Sequence, residues 1–334
     1  MKIKNSIVMV FVILVLLQSA ANSHGTIFGT PGGILVPTAE VTKRGVLDLQ
    51  LEYFNIAPFV GVDIVPENAF SDIEYEGFVN AKGGSLALSY SPFKNLDLNA
   101  AFFDFNIRSR GNMGGLPIYK KSTIGRIYNV KYVPKSFEPK NRTPAVLVGM
   151  MMFDSDGGGD SFYKGYVGAD FNIGEKPKND RNRNKVTHLV VGVESYSSVD
   201  DVQYILQPQD PANFGFMLAI YDESRYADDP EKRNGYFVEY ASIDYLSRMQ
   251  KALLNDGSFV DWANSISQSG YQAYLKEGKN NLALGLFTED NGALMRIGLL
   301  LSNRSIEKNL DTNDDFGVKK PFPLTFFISG SLSF

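Results

Sequence analysis

Apolar and polar positions alternate with a period of two along most of this chain. From Gly45 to Tyr53, Leu47, Leu49, Leu51 and Tyr53 alternate with Asp48, Gln50 and Glu52. Strict alternation is what a β-strand shows when one face meets an apolar phase and the other a polar one. Over 84–91, Leu86, Leu88 and Tyr90 alternate with Ser85, Ala87 and Ser89. A Ser-Pro-Phe-Lys-Asn link leads to 95–105, where Leu96, Leu98, Ala100 and Phe102 alternate with Asp97, Asn99 and Ala101. That pair predicts a hairpin with a tight turn. Further strands are expected over 122–133, 144–153, 162–173, 186–195, 281–288, 293–302 and 324–334, with weaker patterns at 214–222 and 235–241. Arg126 sits on the apolar side of its strand, and 144–153 is apolar on both faces, so protein must pack against its inner side.

Three stretches leave this pattern. Residues 24–44 hold Gly29-Thr30-Pro31-Gly32-Gly33 and Pro37, too punctuated for a regular strand or helix. Residues 55–82 read as a long irregular connection. Between 241 and 277, Ile243, Leu246, Met249, Leu253 and Leu254 recur at spacings of three and four. After Asp256-Gly257, Phe259, Trp262, Ile266 and Tyr274 continue that series, so a helical insertion is expected in a loop or inside the fold.

The last predicted strand carries Phe326, Ile328, Gly330, Leu332 and Phe334 on its apolar face. It resembles the closing strand of bacterial outer-membrane β-barrels, where this pattern is the signal read by the barrel-assembly machinery. Connection lengths point the same way. Those at 55–82, 106–121 and 303–321 are long, while 91–95 and 288–292 are short, as expected of a barrel with long external loops and short inner turns. The expected fold is all-β: an antiparallel transmembrane β-barrel of about twelve strands (roughly 10–14), with a short helical insertion.

At the other end of the chain, Lys2 and Lys4 precede an apolar run from Ile7 to Leu17 and a small-residue exit, Ala21-Asn22-Ser23. This predicts a secretory signal peptide over 1–23, cleaved after Ser23, followed by one outer-membrane barrel domain over 24–334. The run is short for a spanning helix, which needs about 20 residues. Cysteine is absent, so an exported chain must be held by hydrogen bonds and packing alone. Aromatics are plentiful, with 24 Phe and 17 Tyr, which suits interfacial girdles. A net charge of −4 gives no electrostatic ground for binding nucleic acid. The expected partners are outer-membrane lipids, the assembly machinery, and a polysaccharide or envelope protein.

Polar positions on the alternating strands define a lumen: Asp48, Gln50, Glu52, Asp97, Asn99, Asn129, Lys131, Asp170, Asn172 and Arg296. Mixed signs in an enclosed interior read first as a salt-bridged filling, and second as a polar path for a sugar or ion. Barrels of about 8 strands are filled by side chains and those of about 16–18 hold an aqueous channel, so twelve leaves a narrow lumen that a helix or the N-terminal segment could close. Asp154-Ser155-Asp156-Gly157-Gly158-Gly159-Asp160 resembles half of a calcium loop but lacks the distal bidentate Glu. Its candidate ligands are Asp154, Asp156 and Asp160; a second acidic cluster lies at 311–315. His188 lies on the polar side of its strand, and no nucleophile motif flanks it. No catalytic residue, cofactor motif or zinc spacing is present.

Gly29-Thr30-Pro31-Gly32-Gly33-Ile34-Leu35-Val36-Pro37-Thr38-Ala39, followed by Arg44-Gly45-Val46-Leu47, resembles the N-terminal signature of YjbH-type outer-membrane proteins. That resemblance covers only this stretch, the extra Gly33 departs from the pattern, and no functional residues carry over. It implies a role in exopolysaccharide export or assembly. The sequence therefore leads to a non-enzymatic outer-membrane barrel acting in transport or envelope assembly. A structural or adhesive barrel with a plugged lumen is the alternative, and an outer-membrane lipid hydrolase or acyltransferase the second alternative.

Overall fold

The computed structural model describes residues 33–64, 75–110, 118–135, 143–156, 160–174, 183–197, 213–226, 232–243, 245–254, 257–268, 271–274, 279–290, 293–303 and 324–333. The predicted signal peptide, the acidic cluster at 311–315 and Phe334 lie outside them. Nine strands come first: β1 (Leu47–Ile64), β2 (Tyr75–Phe93), β3 (Leu96–Arg110), β4 (Lys120–Tyr132), β5 (Ala145–Ser155), β6 (Phe162–Asn172), β7 (Arg183–Tyr196), β8 (Phe214–Tyr226) and β9 (Arg233–Ile243). Two helices follow, α1 (Tyr245–Leu254) and α2 (Gly257–Gln268). Then come β10 (Tyr271–Tyr274), β11 (Lys279–Asp290), β12 (Ala293–Asn303) and β13 (Leu324–Ser333).

Every pairing is antiparallel, and β1 pairs with both β2 and β13. Leu51, for example, lies opposite Leu86 on one side and Gly330 on the other. The ring therefore closes with twelve strands, and β10 stands outside it, pairing among the described residues with the Gly61–Ile64 end of β1. A closed ring leaves no unpaired edge along the wall.

The wall is inverted relative to a water-soluble protein. Its outer face exposes Leu47 at 44%, Tyr132 at 48% and Met150 at 57%, while Asp97, Lys131 and Asp170 inside are at 0%. Large contiguous exposed apolar surface belongs against lipid, and outward-facing apolar residues alternating with inward polar ones are the mark of an outer-membrane-type barrel. Phe326 faces out and Phe327 in, consistent with the parity of the last strand.

Lumen-facing glycines make room for aromatic rings on neighbouring strands. Gly149 lies opposite Tyr166, Gly285 opposite Phe237 and Gly298 opposite Phe327. At each, an added Cβ would collide with the ring of its partner. The ring covers backbone that would otherwise have no side chain packed on it.

The sequence reading needs three corrections here. Residues 55–82 are not an irregular connection, since β1 runs on to Ile64 and β2 begins at Tyr75. Likewise β3 continues to Arg110 and β4 begins at Lys120, which shortens the 106–121 connection. The hydrogen-bond ladder persists where the pattern inverts: on β3, Phe103, Phe105 and Ile107 are buried inside while Asp104, Asn106 and Arg108 are exposed. The helical reading of 241–277 also holds only in part: Ala241 to Ile243 belong to β9, and Tyr274 to β10.

Strand direction sorts the connections into two rims. One rim borders 65–74, 111–119, 156–161, 197–213, 244–278 and 304–323; the other borders 94–95, 133–144, 173–182, 227–232, 291–292 and both ends of the ring. The sorting by length is incomplete, because 133–144 is longer than 156–161. Both helices belong to the first rim.

Candidate functional site: a stoppered lumen

Residues 33–45 precede β1 and have no regular secondary structure, yet Ile34, Leu35, Val36 and Ala39 are buried. Their partners come from strands all around the ring, so this segment lies inside the lumen. Glu239 of β9 is the main anchor. Its Oε2 accepts the backbone N–H groups of Ile34 and Leu35, each at 2.7 Å, and its Oε1 accepts that of Val36 at 3.3 Å. Successive N–H groups turned to one anion form a nest, a concave anion-binding backbone arrangement. Gly33 is required by that approach, because a Cβ there would strike the Glu239 carboxylate. The Tyr221 hydroxyl accepts the Gly33 N–H at 2.9 Å, and its own proton lies within reach of Glu239 Oε1 at 2.6 Å. Arg296 donates to the Gly33 carbonyl at 2.6 Å.

The segment is held along its length. Asp170 Oδ2 accepts the Ala39 N–H at 3.2 Å, and its Oδ1 pairs with His188 Nδ1 at 2.8 Å. Lys131 donates to the carbonyls of Thr38 and Glu40 and pairs with Asp97 at 3.2 Å. Asp97 in turn accepts the Thr42 N–H at 3.1 Å. Gly45 adopts φ of 76°, and its N–H donates to Ser91 at 2.9 Å, turning the chain out of the lumen and into β1. A left-handed φ costs a residue with a Cβ, so glycine suits this exit.

Of the residues from 33 to 42, only Glu40 carries an ionisable side chain. Its Oε1 lies 3.0 Å from Arg225 Nη2 and 3.0 Å from Arg233 Nη1, and its Oε2 is 3.3 Å from Arg233 Nη2. Glu223 also engages both guanidinium groups, and Glu289 accepts from Arg233 Nε at 2.6 Å. A cavity of about 20 Å³ beside Glu40, bordered by His188, Tyr221, Glu223, Arg233 and Arg296, has room for about one water.

Toward the opposite rim the two helices pack against the wall through apolar contacts. Tyr119 meets Phe259 edge-on at 5.4 Å and Trp262 at 5.2 Å, linking α2 to the rim before β4. Tyr245 of α1 packs on Phe162 at 5.6 Å, and Phe162 stacks on Phe153 at 5.1 Å. The inner apolar face of β5 thus packs beneath α1. Burial pushes the pKa of the Tyr245 hydroxyl well above its ordinary value. Arg248 is fully buried in this packing. It donates to the Ser197 carbonyl at 3.0 Å and lies 4.8 Å from the centre of the Tyr196 ring.

Lumen candidates read from the sequence fall into three groups. Asp97, Lys131, Asp170 and Arg296 hold the segment directly. Gln50 and Glu52 stand behind Arg296, with Gln50 donating to Glu52 at 2.5 Å and Glu52 lying 3.6 Å from Arg296. Asp48, Asn99 and Asn129 are buried on the inner wall, and Asn172 is half-buried where β6 ends. His188 is a wall residue between Asp170 and the stacked Tyr221 ring at 4.9 Å.

Of the candidate calcium ligands, two face a cation. Asp154 and Asp156 both engage Arg126 on the outer face, at 3.4 and 2.5 Å, and the Asp160 N–H donates to Ala252 at 3.1 Å. Among the described residues no group of three or more His, Cys, Asp or Glu could hold a metal.

Tyr221, Glu223, Arg225, Arg233, Glu239 and Glu289 were absent from the sequence-derived set. They lie on the two weakest strand patterns or beyond a predicted strand end. Parity held the signal for Glu239, since Tyr236 and Val238 face outward, which turns residue 239 inward.

No family model matches the chain, and no curated protein matches it. Among solved structures, the COG4313 outer membrane channel from Pseudomonas putida F1 is similar at 10% identity, over 89% of this chain and 98% of that one, with a TM-score of 0.43. The KdgM porin is similar at 9% identity, over 85% and 99%, with a TM-score of 0.37. The transport unit of the autotransporter AIDA-I from Escherichia coli is similar at 6% identity, over 87% and 90%, with a TM-score of 0.42. The barrel assignment rests on this chain's own strand pairing and inverted polarity.

Proposed function

We propose that this chain is a non-enzymatic outer-membrane transport barrel whose lumen is stoppered by residues 33–42, and that passage requires their displacement. The rim with both strand termini faces the periplasm in this reading, as in outer-membrane barrels generally. The observation that carries the reading is Glu239, a buried carboxylate whose hydrogen bonds from protein run to the stopper's backbone and to Tyr221. A segment held chiefly by polar contacts to its backbone can exchange those contacts for water. Ile34, Leu35 and Val36 are buried as well, so release must offset that apolar burial in addition to exchanging the polar contacts.

Glu239→Ala removes the anchor of three backbone N–H groups. Counting about 1 kcal/mol net for each of the three bonds, with water replacing the rest, the loss is about 3 kcal/mol, or about a hundredfold in the open population. In planar bilayers the native chain should show rare openings, and the variant frequent ones. A correctly folded variant with the native opening frequency would remove the gating reading. The resemblance around Gly29 to Ala39 extends the proposal to a polysaccharide cargo, supported by its overlap with the stopper. Under that extension, cells carrying Glu239→Ala should display altered surface polysaccharide, and unchanged polysaccharide would discard this cargo.

A further inference from the structure

We propose that Arg225 and Arg233 form a binding subsite for a small carboxylate solute, such as a sugar acid, which Glu40 occupies as an internal surrogate. The inference rests on the reading of residues 33–42 as a removable stopper. Arg233 holds both Glu40 oxygens through its two terminal nitrogens, and Arg225 adds a third contact. This fork geometry selects a planar carboxylate. Both Glu40 and Arg225 retain 18% exposure, so water reaches the pair while the stopper is in place. They lie near the β8–β9 hairpin, at the rim where the stopper enters.

Charge balance narrows the class of ligand. Glu223 and Glu289 stay on the wall when the segment leaves, so the two guanidinium groups retain two carboxylates. A monocarboxylate restores the charge that Glu40 supplied. A phosphate dianion adds a further negative charge beside Glu223, and a neutral sugar offers only single hydroxyl acceptors in place of the two-oxygen contact that Glu40 makes with Arg233. Selectivity should therefore run from carboxylate to phosphate to neutral solute.

The test uses Glu40→Ala in the full chain, purified in detergent, with folding checked by gel mobility before and after boiling. Calorimetric titration with D-glucuronate, D-glucose 6-phosphate and D-glucose reads binding directly, independently of conductance. Glucuronate should bind at least tenfold more tightly than glucose and more tightly than the phosphate ester, with binding to the native chain at least tenfold weaker. Glu40→Ala combined with Arg225→Lys keeps the charge but removes the Nη2 contact that Arg225 adds to the Arg233 fork, and should weaken glucuronate at least fivefold without changing glucose. Equal binding of glucuronate and glucose, or an unaffected Arg225→Lys combination, would overturn the proposal. Glucuronate binding in a barrel that never conducts would support the subsite and fail the transport reading. Conduction without carboxylate preference would do the reverse.

Discussion

At the scale of single residues, parity decides more than identity does. Gly285 and Gly165 are both strand glycines, but a Cβ on Gly285 meets the Phe237 ring while one on Gly165 meets nothing within 4 Å. Gly285→Val should therefore destabilise the barrel by about 1–3 kcal/mol, the usual range for overpacking, and Gly165→Ala by a small fraction of that. Urea titration of the protein folded in lipid vesicles reads the difference; equal midpoints would mean that Phe237 swings aside without loss. The same parity made Asp48, Glu52 and Asp97 legible as inward residues, because lipid and lumen impose opposite chemistry on successive positions. Contacts were beyond its reach. Glu239 grips Ile34 across a separation of 205 residues, and no local pattern encodes that partnership. The clamp residues Glu223, Arg225, Arg233 and Glu289 lie past the predicted strand ends, where the outer face has left the apolar belt and alternation no longer marks the strand.

At the scale of elements, the helical spacing of 241–277 reported α1 and α2 because each buries one apolar stripe. It missed β10, whose four residues are too few for a periodic signal and whose pairing with β1 is set by distant sequence. The helix pair is fastened by Arg248, which ties α1 to Ser197 and Asn213 and lies over Tyr196. Arg248→Ala removes the charge-assisted bond to the half-buried Ser197 carbonyl and the weaker contact to Asn213, and loses the ring contact, a cost of about 2–4 kcal/mol. The barrel wall does not depend on these bonds, so the loss should appear as local opening. Limited proteolysis of the variant should cut between 244 and 278 at least tenfold faster than in the native chain, with the closed ring preserved. An unchanged cutting rate would show that the aromatic contacts of Tyr119, Tyr245 and Trp262 hold the helices without Arg248.

At the scale of the whole molecule, the two stoppers differ in physical kind. Aromatic contacts hold the helices at one end of the lumen, while the irregular segment inside it buries Ile34, Leu35 and Val36 but is also held by polar contacts to its backbone, so the second is the one with contacts that solvent can replace. Both depend on a ring that is itself complete. Closure could not be read from alternation, because an open sheet of the same strands has the same parity; it follows from β1 pairing on both sides, with β2 and with β13. A closed wall exposes no unpaired backbone to detergent, and its strands cannot peel away one at a time. The refolded chain should therefore resist SDS at room temperature and migrate differently before and after boiling. Shortening β13 by substituting Pro for Phe327, which lies opposite Phe54 and Gly298, breaks the ladder at the seam. That variant should lose the mobility difference, whereas Glu239→Ala, which alters only the stopper, should keep it. Identical mobility of the native chain before and after boiling would mean that the seam between β1 and β13 does not hold in detergent, and the stoppered lumen would lose its wall.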